Sequence, residues 1–223
     1  MVMFFAGDFN PEETVKEVKK RLIKKESQGE IKRIYSEEPK EIVQKEIEEK
    51  RDVSIPMFVI GIKEDIKKEP KDIVKKHIAL EILLNIIISK SSNLYKQLYE
   101  EGLLQEEPTL EYEFSKIYSY ALITGASNNP KGVFNRFLEE IKILKENGIN
   151  DEDFNRAKKM IYGLYVREYN NIEDISKMFI SDFFKGINSF DYIDKYNQVT
   201  KEYAQSLLEK FFNEEQMVLS VVK

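Results

Sequence analysis

The chain has 223 residues, 42% hydrophobic and 34% charged, enough to bury a sizeable core and too apolar to be disordered. A net charge of −5 argues against a nucleic-acid or anionic-membrane partner. The absence of cysteine removes disulfides, thiolate nucleophiles and thiolate zinc sites, and fits a reducing, cytoplasmic compartment.

The chain opens on MVMFFAGDFNPEET. Its apolar run Val2–Ala6 predicts a strand, with Gly7-Asp8 as the turn, and is too short and too soon followed by acids to be a signal peptide. Asn10-Pro11-Glu12-Glu13 then combines an N-cap, a first-turn proline and two acids at the positive end of the dipole. That helix is expected to run to about Lys25, with Gln28-Gly29 as its break. Residues 41–50 and 55–63 read as strands, the first too charged to be central. Pro70 should open a long helix to about Ser89, apolar all round and therefore covered on most sides. Its core, IALEILLNIII, contains Glu81 and Asn85 and is too short to span a bilayer.

Ser91-Ser92 starts a shorter helix, NLYKQLYEEG, ended by Gly102. TLEYEF alternates as a half-buried strand, and IYSYALIT follows closely enough to pair with it as a hairpin. Helices are then expected from Asn129-Pro130 to Gly148, from Asn150 through Leu164, over about 173–185, and over 200–212 behind Thr200. QMVLSVV closes the chain as a strand. The inventory is about six strands and six or seven helices with no linker. It predicts one α+β domain over residues 1–223, its helices packed mostly on one face of a six-stranded, mainly antiparallel sheet to which the first and last strands both belong.

Chemistry is harder to find. His77, the sole histidine, and Glu81 stand at i, i+4 and could share a helix face, but zinc wants three or four ligands and no second histidine exists. A structural histidine and no metal site are expected. The basic first helix reads as a solvated face rather than a phosphate grip. No Gly-rich phosphate loop or Ser-His-Asp arrangement can be built. The aromatic hairpin residues Tyr112, Phe114, Tyr118 and Tyr120 are explained by packing and cross-strand pairing.

Three stretches in order carry a resemblance. MVMFFAGDFNPEET resembles the "hhhhGDhdPEE" opening of the second domain in insulinase/pitrilysin-type zinc metallopeptidases, the family that includes the mitochondrial processing peptidases. KSSNLYKQLYEEGLL resembles that domain's "SRLFxxLRExxGLAYS" segment, and GINDEDFNRAKKMIYGLYV its "GhtxEELexAKxxhxxxhh" helix. The resemblance implies a six-stranded sheet with helices mainly on one face, and a parent chain of about twice this length. The missing first domain would carry zinc on an HxxEH motif, which is absent here. The two halves would close as a clamshell round a peptide, with Met1 at the start of the second. Active members also supply an Arg and a Tyr toward the substrate carbonyl, a role in oxyanion stabilisation. Tyr99 stands where that Arg is expected and Gln105 close to the Tyr, and a phenol has neither the charge nor the fork of a guanidinium. No catalytic residue is therefore assigned; Asn93, Tyr99 and Gln105 are the substrate-chamber candidates.

Two functions follow as expectations. The chain is the C-terminal, non-zinc half of a zinc peptidase, inactive alone, its zinc and partner surface supplied by the N-terminal domain or by a homologous chain in a dimer. Alternatively it is a non-catalytic interaction subunit that keeps the peptidase fold for assembly or peptide capture.

Overall fold

The computed structural model describes residues 2–23, 39–64, 72–115 and 117–223, with Gly29, Lys32 and Ile34 between the first two stretches. Asn10 accepts from the Glu12 and Glu13 N–H groups and starts helix α1, Pro11–Arg21. The helix stops at Arg21, where Leu22 turns to extended backbone, so it falls short of the Lys25 expected from the apolar pattern. The Gln28 break and the Pro70 helix start fall outside the described residues. Strands β1 (Glu46–Glu49) and β2 (Met57–Lys63) follow, then α2 (Ile73–Ile88), capped by Asp72, and α3 (Asn93–Glu100). The hairpin is β3 (Thr109–Phe114) and β4 (Ser119–Ala126). Four helices, α4 (Pro130–Asn147), α5 (Asp151–Glu168), α6 (Ile172–Lys185) and α8 (Lys201–Phe211), match the expected ones. A short α7 (Asp191–Tyr196) was not legible, and β5 (Met217–Val222) ends the chain.

The sheet order is β1-β5-β2-β4-β3, antiparallel except for the parallel β1–β5 pair. Alternation along the strands puts Phe58, Ile60, Ile62, Ala121, Ile123, Leu219 and Val221 into the core. Their neighbours Val59, Leu122, Thr124, Val218 and Ser220 form an opposite face that stays half-exposed. Helix α2 lies against the core face at β3 and is flanked on its other sides by α5, α7 and α8. Twelve of its sixteen residues are buried, which is why its apolar positions show no single stripe.

Two expectations are corrected. The sheet has five described strands rather than six, because Val2–Ala6 enters no ladder. Apolar content signals that a segment seeks cover, not which partner supplies it. Here Phe4 stacks on Phe179 of α6, ring centroids 5.0 Å apart, and the segment does not join β5's sheet. The strand expected over 41–50 shrinks to Glu46–Glu49, an exposed edge whose pairing with β5 is parallel.

Helix α5 shows how local chemistry sets a boundary. Asn150 accepts from the Asp153 N–H at 2.7 Å, and Asp151, Glu152 and Asp153 fill the positive first turn. Asn150→Ala is expected to cost about 1 kcal/mol, read as a lower urea midpoint with unchanged slope.

Candidate functional site

The segment after α2 is built by capping. Ser92 accepts from the Tyr95 N–H at 3.0 Å, and Leu94, Tyr95 and Leu98 seat α3 in the core. Gly102, at φ +71°, reverses the chain, and the N–H groups of Leu103 and Leu104 both return to the Leu98 carbonyl. Leu104 is buried, so Gln105 emerges at a fixed point. From α4, Arg136 Nη1 donates to both carboxylate oxygens of Glu101, at 2.7 and 2.8 Å, and its other arm to Gln97. The Lys90 N–H donates to Glu107 at 2.7 Å. The loop is thus tied at both ends.

The three candidate residues do not converge. Asn93 is the exposed first residue of α3, and Tyr99, 58% exposed, stacks on Tyr95 at 6.1 Å. Six residues of α-helix place those two about 120° apart around the axis, so they do not share a face. Gln105 alone lines a hollow, of about 350 Å³, with Ile55, Met57, Leu103, Thr109 and Thr124 at the ends of β2, β3 and β4. Arg136 is a guanidinium beside this segment that sequence reasoning missed. No local signal marks it, since its partners lie 35 and 39 residues away.

The larger hollow, about 860 Å³, lies where α2 faces α5, α6 and α7. His77 and Glu81 do share a helix face there, with Nε2 to Oε1 at 3.6 Å. His77 Nδ1 bonds the Tyr192 hydroxyl at 2.7 Å, and the Tyr165 hydroxyl donates to Glu81. Burial pushes the Glu81 carboxyl up to about 7, against the Tyr165 hydrogen bond. Burial, aided by the Lys185 charge, pushes His77 down to about 4. Near pH 6 both groups are neutral, a proton-holding cluster rather than an ion pair. Among the described residues no three His, Cys, Asp or Glu side chains come together to hold a metal, so the residues present do not fit zinc.

Residues 1–161 match the family model described as the peptidase M16 inactive domain. The chain belongs to that family. It is 28% identical over 219 residues to the uncharacterized zinc protease YmfH of Bacillus subtilis, covering 94% of this chain and 50% of that protein. An M16-like structure from Alicyclobacillus acidocaldarius superposes with a TM-score of 0.87 at 24% identity, over 96% of this chain and 52% of the other. A protease from Helicobacter pylori gives 0.81 at 18%, over 97% and 54%. These likenesses carry the fold. This M16 inactive domain spans about half the length of those relatives.

Proposed function

We propose that this M16 domain is the C-terminal, non-zinc half of a two-part peptidase and forms one wall of its peptide chamber. The observation that carries the reading is the inactive-domain match over residues 1–161, in a chain half the length of its relatives. Zinc belongs to the other half, supplied by the same polypeptide or by a homologous chain. The cysteine-free composition supports a cytoplasmic location. Among the described residues no helix is long and apolar enough to cross a membrane.

The half-exposed sheet face and the Gln105 hollow beside it offer the chamber surface. Gln105 supplies an amide that can both donate to and accept from a peptide backbone, and Tyr99 supplies a phenol. Asn93, about 120° away round the same helix from Tyr99, faces a different side and is not counted in that surface. None of the three carries charge to stabilise an oxyanion, so cleavage chemistry rests with the zinc-bearing half.

The test is peptide hydrolysis by this chain alone, by the zinc-bearing half alone, and by both. Zinc-dependent cleavage only in the combination supports the reading. Cleavage by the zinc half alone, at an unchanged rate, removes the chamber role. Absence of cleavage in any combination favours the interaction subunit, which the replacement of Arg and Tyr by Tyr99 and Gln105 makes the second reading. In the active combination, Gln105→Ala and Tyr99→Ala should each raise KM roughly 3- to 10-fold with little change in kcat, the mark of lost uniform binding. Both side chains are exposed, so the thermal midpoint should hold.

A further inference from the structure

The hollow of about 860 Å³ takes no part in the chamber proposed above. It lies in the helical layer, on the core side of the sheet, whereas the chamber surface is the sheet's opposite face. Asp182 of α6, only 7% exposed, lines it. The Ser189 hydroxyl donates to Asp182 Oδ2 at 2.7 Å. Oδ1 has no hydrogen-bond partner among the described residues and is open to the hollow. The neighbouring Lys185 pairs with Glu113, at 2.6 Å, instead. Glu81 is in the same condition. Tyr165 donates to its Oε2, while Oε1 has only His77 Nε2 at 3.6 Å, too long for a hydrogen bond. Two carboxyl groups thus each turn an unbonded oxygen into one hollow.

The surroundings carry the same sign. Glu168 and Asp174 stand at the exposed mouth. Burial, and then the charges of Glu81, Asp174 and Asp182, hold the Glu168 carboxyl above its ordinary value, so the four groups crowd one another. The cations of the lining, Arg167 and Lys177, are both exposed, and Lys177 turns to Glu173 at 3.8 Å. Between mouth and floor the walls are the rings of Tyr165, Tyr169 and Tyr192.

We infer that this hollow is a binding site for an organic ammonium ion on a hydrocarbon stem, its N–H groups donating to Asp182 and Glu81 and its stem lying along the tyrosine rings. The inference is independent of the peptidase reading. The occupant is chosen by exclusion as well as by fit. A carboxylate oxygen without a donor in a largely buried place calls for one, and a neutral apolar ligand would leave it unmet. An anion meets four carboxyl groups. A metal ion needs a shell of ligands, and among the described residues no three His, Cys, Asp or Glu side chains assemble one. An ammonium brings three donors of its own, and aromatic faces attract it. A free diamine and a lysine side chain share this chemistry.

Calorimetric titration of the chain with cadaverine at pH 8 tests the site; Glu81 titrates at about 7 and is charged there. One saturable site is expected, and pentanediol, the same stem without charge, should bind at least ~100-fold more weakly. Asp182→Asn keeps an oxygen for the Ser189 hydroxyl, and should weaken cadaverine by about tenfold or more without lowering the melting midpoint. Glu81→Gln, expected to fold more stably at this pH, should weaken it by about fivefold, so lost binding is not lost fold. Binding of Nα-acetyl-lysine amide within about threefold of cadaverine would assign the site to a lysine side chain, and binding of cadaverine alone to a free diamine. No saturable heat up to about 10 mM cadaverine, or equal binding of pentanediol, overturns the inference. Unchanged binding in both hollow variants does so as well. So does an equal loss in Glu215→Gln, whose carboxylate pairs with Lys45 elsewhere, because the attraction would then belong to the acidic surface as a whole.

Discussion

Lys76→Met should lower the unfolding free energy of this chain by about 3–5 kcal/mol, a large share of a domain's total stability. Lys76 projects from α2 into the core, and its ammonium meets the Glu64 carboxylate just past the end of β2. Glu64 also accepts from the Ser119 hydroxyl at 2.7 Å and, at 3.4 Å, from Tyr112. Burial and the Glu64 charge hold the Tyr112 phenol well above its ordinary value, so it stays a donor. Two hydroxyls cannot replace a cation beside a partly buried carboxylate, so removing only Lys76 orphans a charge. Removing both charges is a different matter, because no buried charge is then left without its partner, and the Ser119 and Tyr112 hydroxyls, 2.8 Å apart, keep one hydrogen bond between them. Lys76→Met with Glu64→Leu should therefore return to within about 1.5 kcal/mol of the parent. Urea unfolding of both variants decides the point. A double variant as weak as the single one would assign the loss to the packing of the lysine stem.

This pair also shows what was legible in the sequence. Helix α2, the hairpin and β2 follow from apolar periodicity, which depends on near neighbours in the chain. The caps at Asn10, Ser92, Asn129, Asn150 and Thr200 were legible for the same reason, each side chain reaching an N–H two or three residues on. Lys76 and Glu64 carry no local mark of burial; their burial depends on how α2 crosses the sheet. The parallel β1–β5 pair joins Glu46 to Leu219, and no local pattern encodes a partner at that separation. The candidate site divides in the same way. The loop from Ser92 to Leu104 was readable as a capped helix, whereas its tether to Arg136 and the 120° separation of Asn93 from Tyr99 emerge only from the fold. His77 and Glu81 were legible as a pair on one face. Their hydrogen-bonding partners Tyr192 and Tyr165, far along the chain, were not.

That pair yields the second large effect, Glu81→Gln, expected to stabilise the chain at pH 8 by on the order of 2 kcal/mol and to be nearly neutral at pH 4.5. The sign comes from the protons bound on each side. Glu81 titrates near 7 when folded and at an ordinary 4.5 when unfolded, so between those values the folded state holds the extra proton. Its contribution is thus present below 4.5 and lost as pH rises through 7. His77 runs the other way: its folded value near 4 lies below an ordinary 6.5, so the unfolded state holds the extra proton and stability rises with pH across that window. In the parent the two slopes offset from about 4.5 to 6.5, leaving a flat profile that falls only toward 7. Glutamine removes one slope, keeps an oxygen for the Tyr165 hydroxyl, and leaves the histidine's rise exposed. The 2 kcal/mol is set below the roughly 3 that the shift alone would give, because the Glu81 side chain is still 28% exposed. The competing account is that the 3.6 Å contact is an ion pair between a protonated His77 and a charged Glu81. It predicts the opposite result, a loss of stability in Glu81→Gln that is greatest near pH 6. Urea midpoints at pH 4.5, 6 and 8 separate the two, because only the neutral pair makes glutamine the more stable residue as the pH rises.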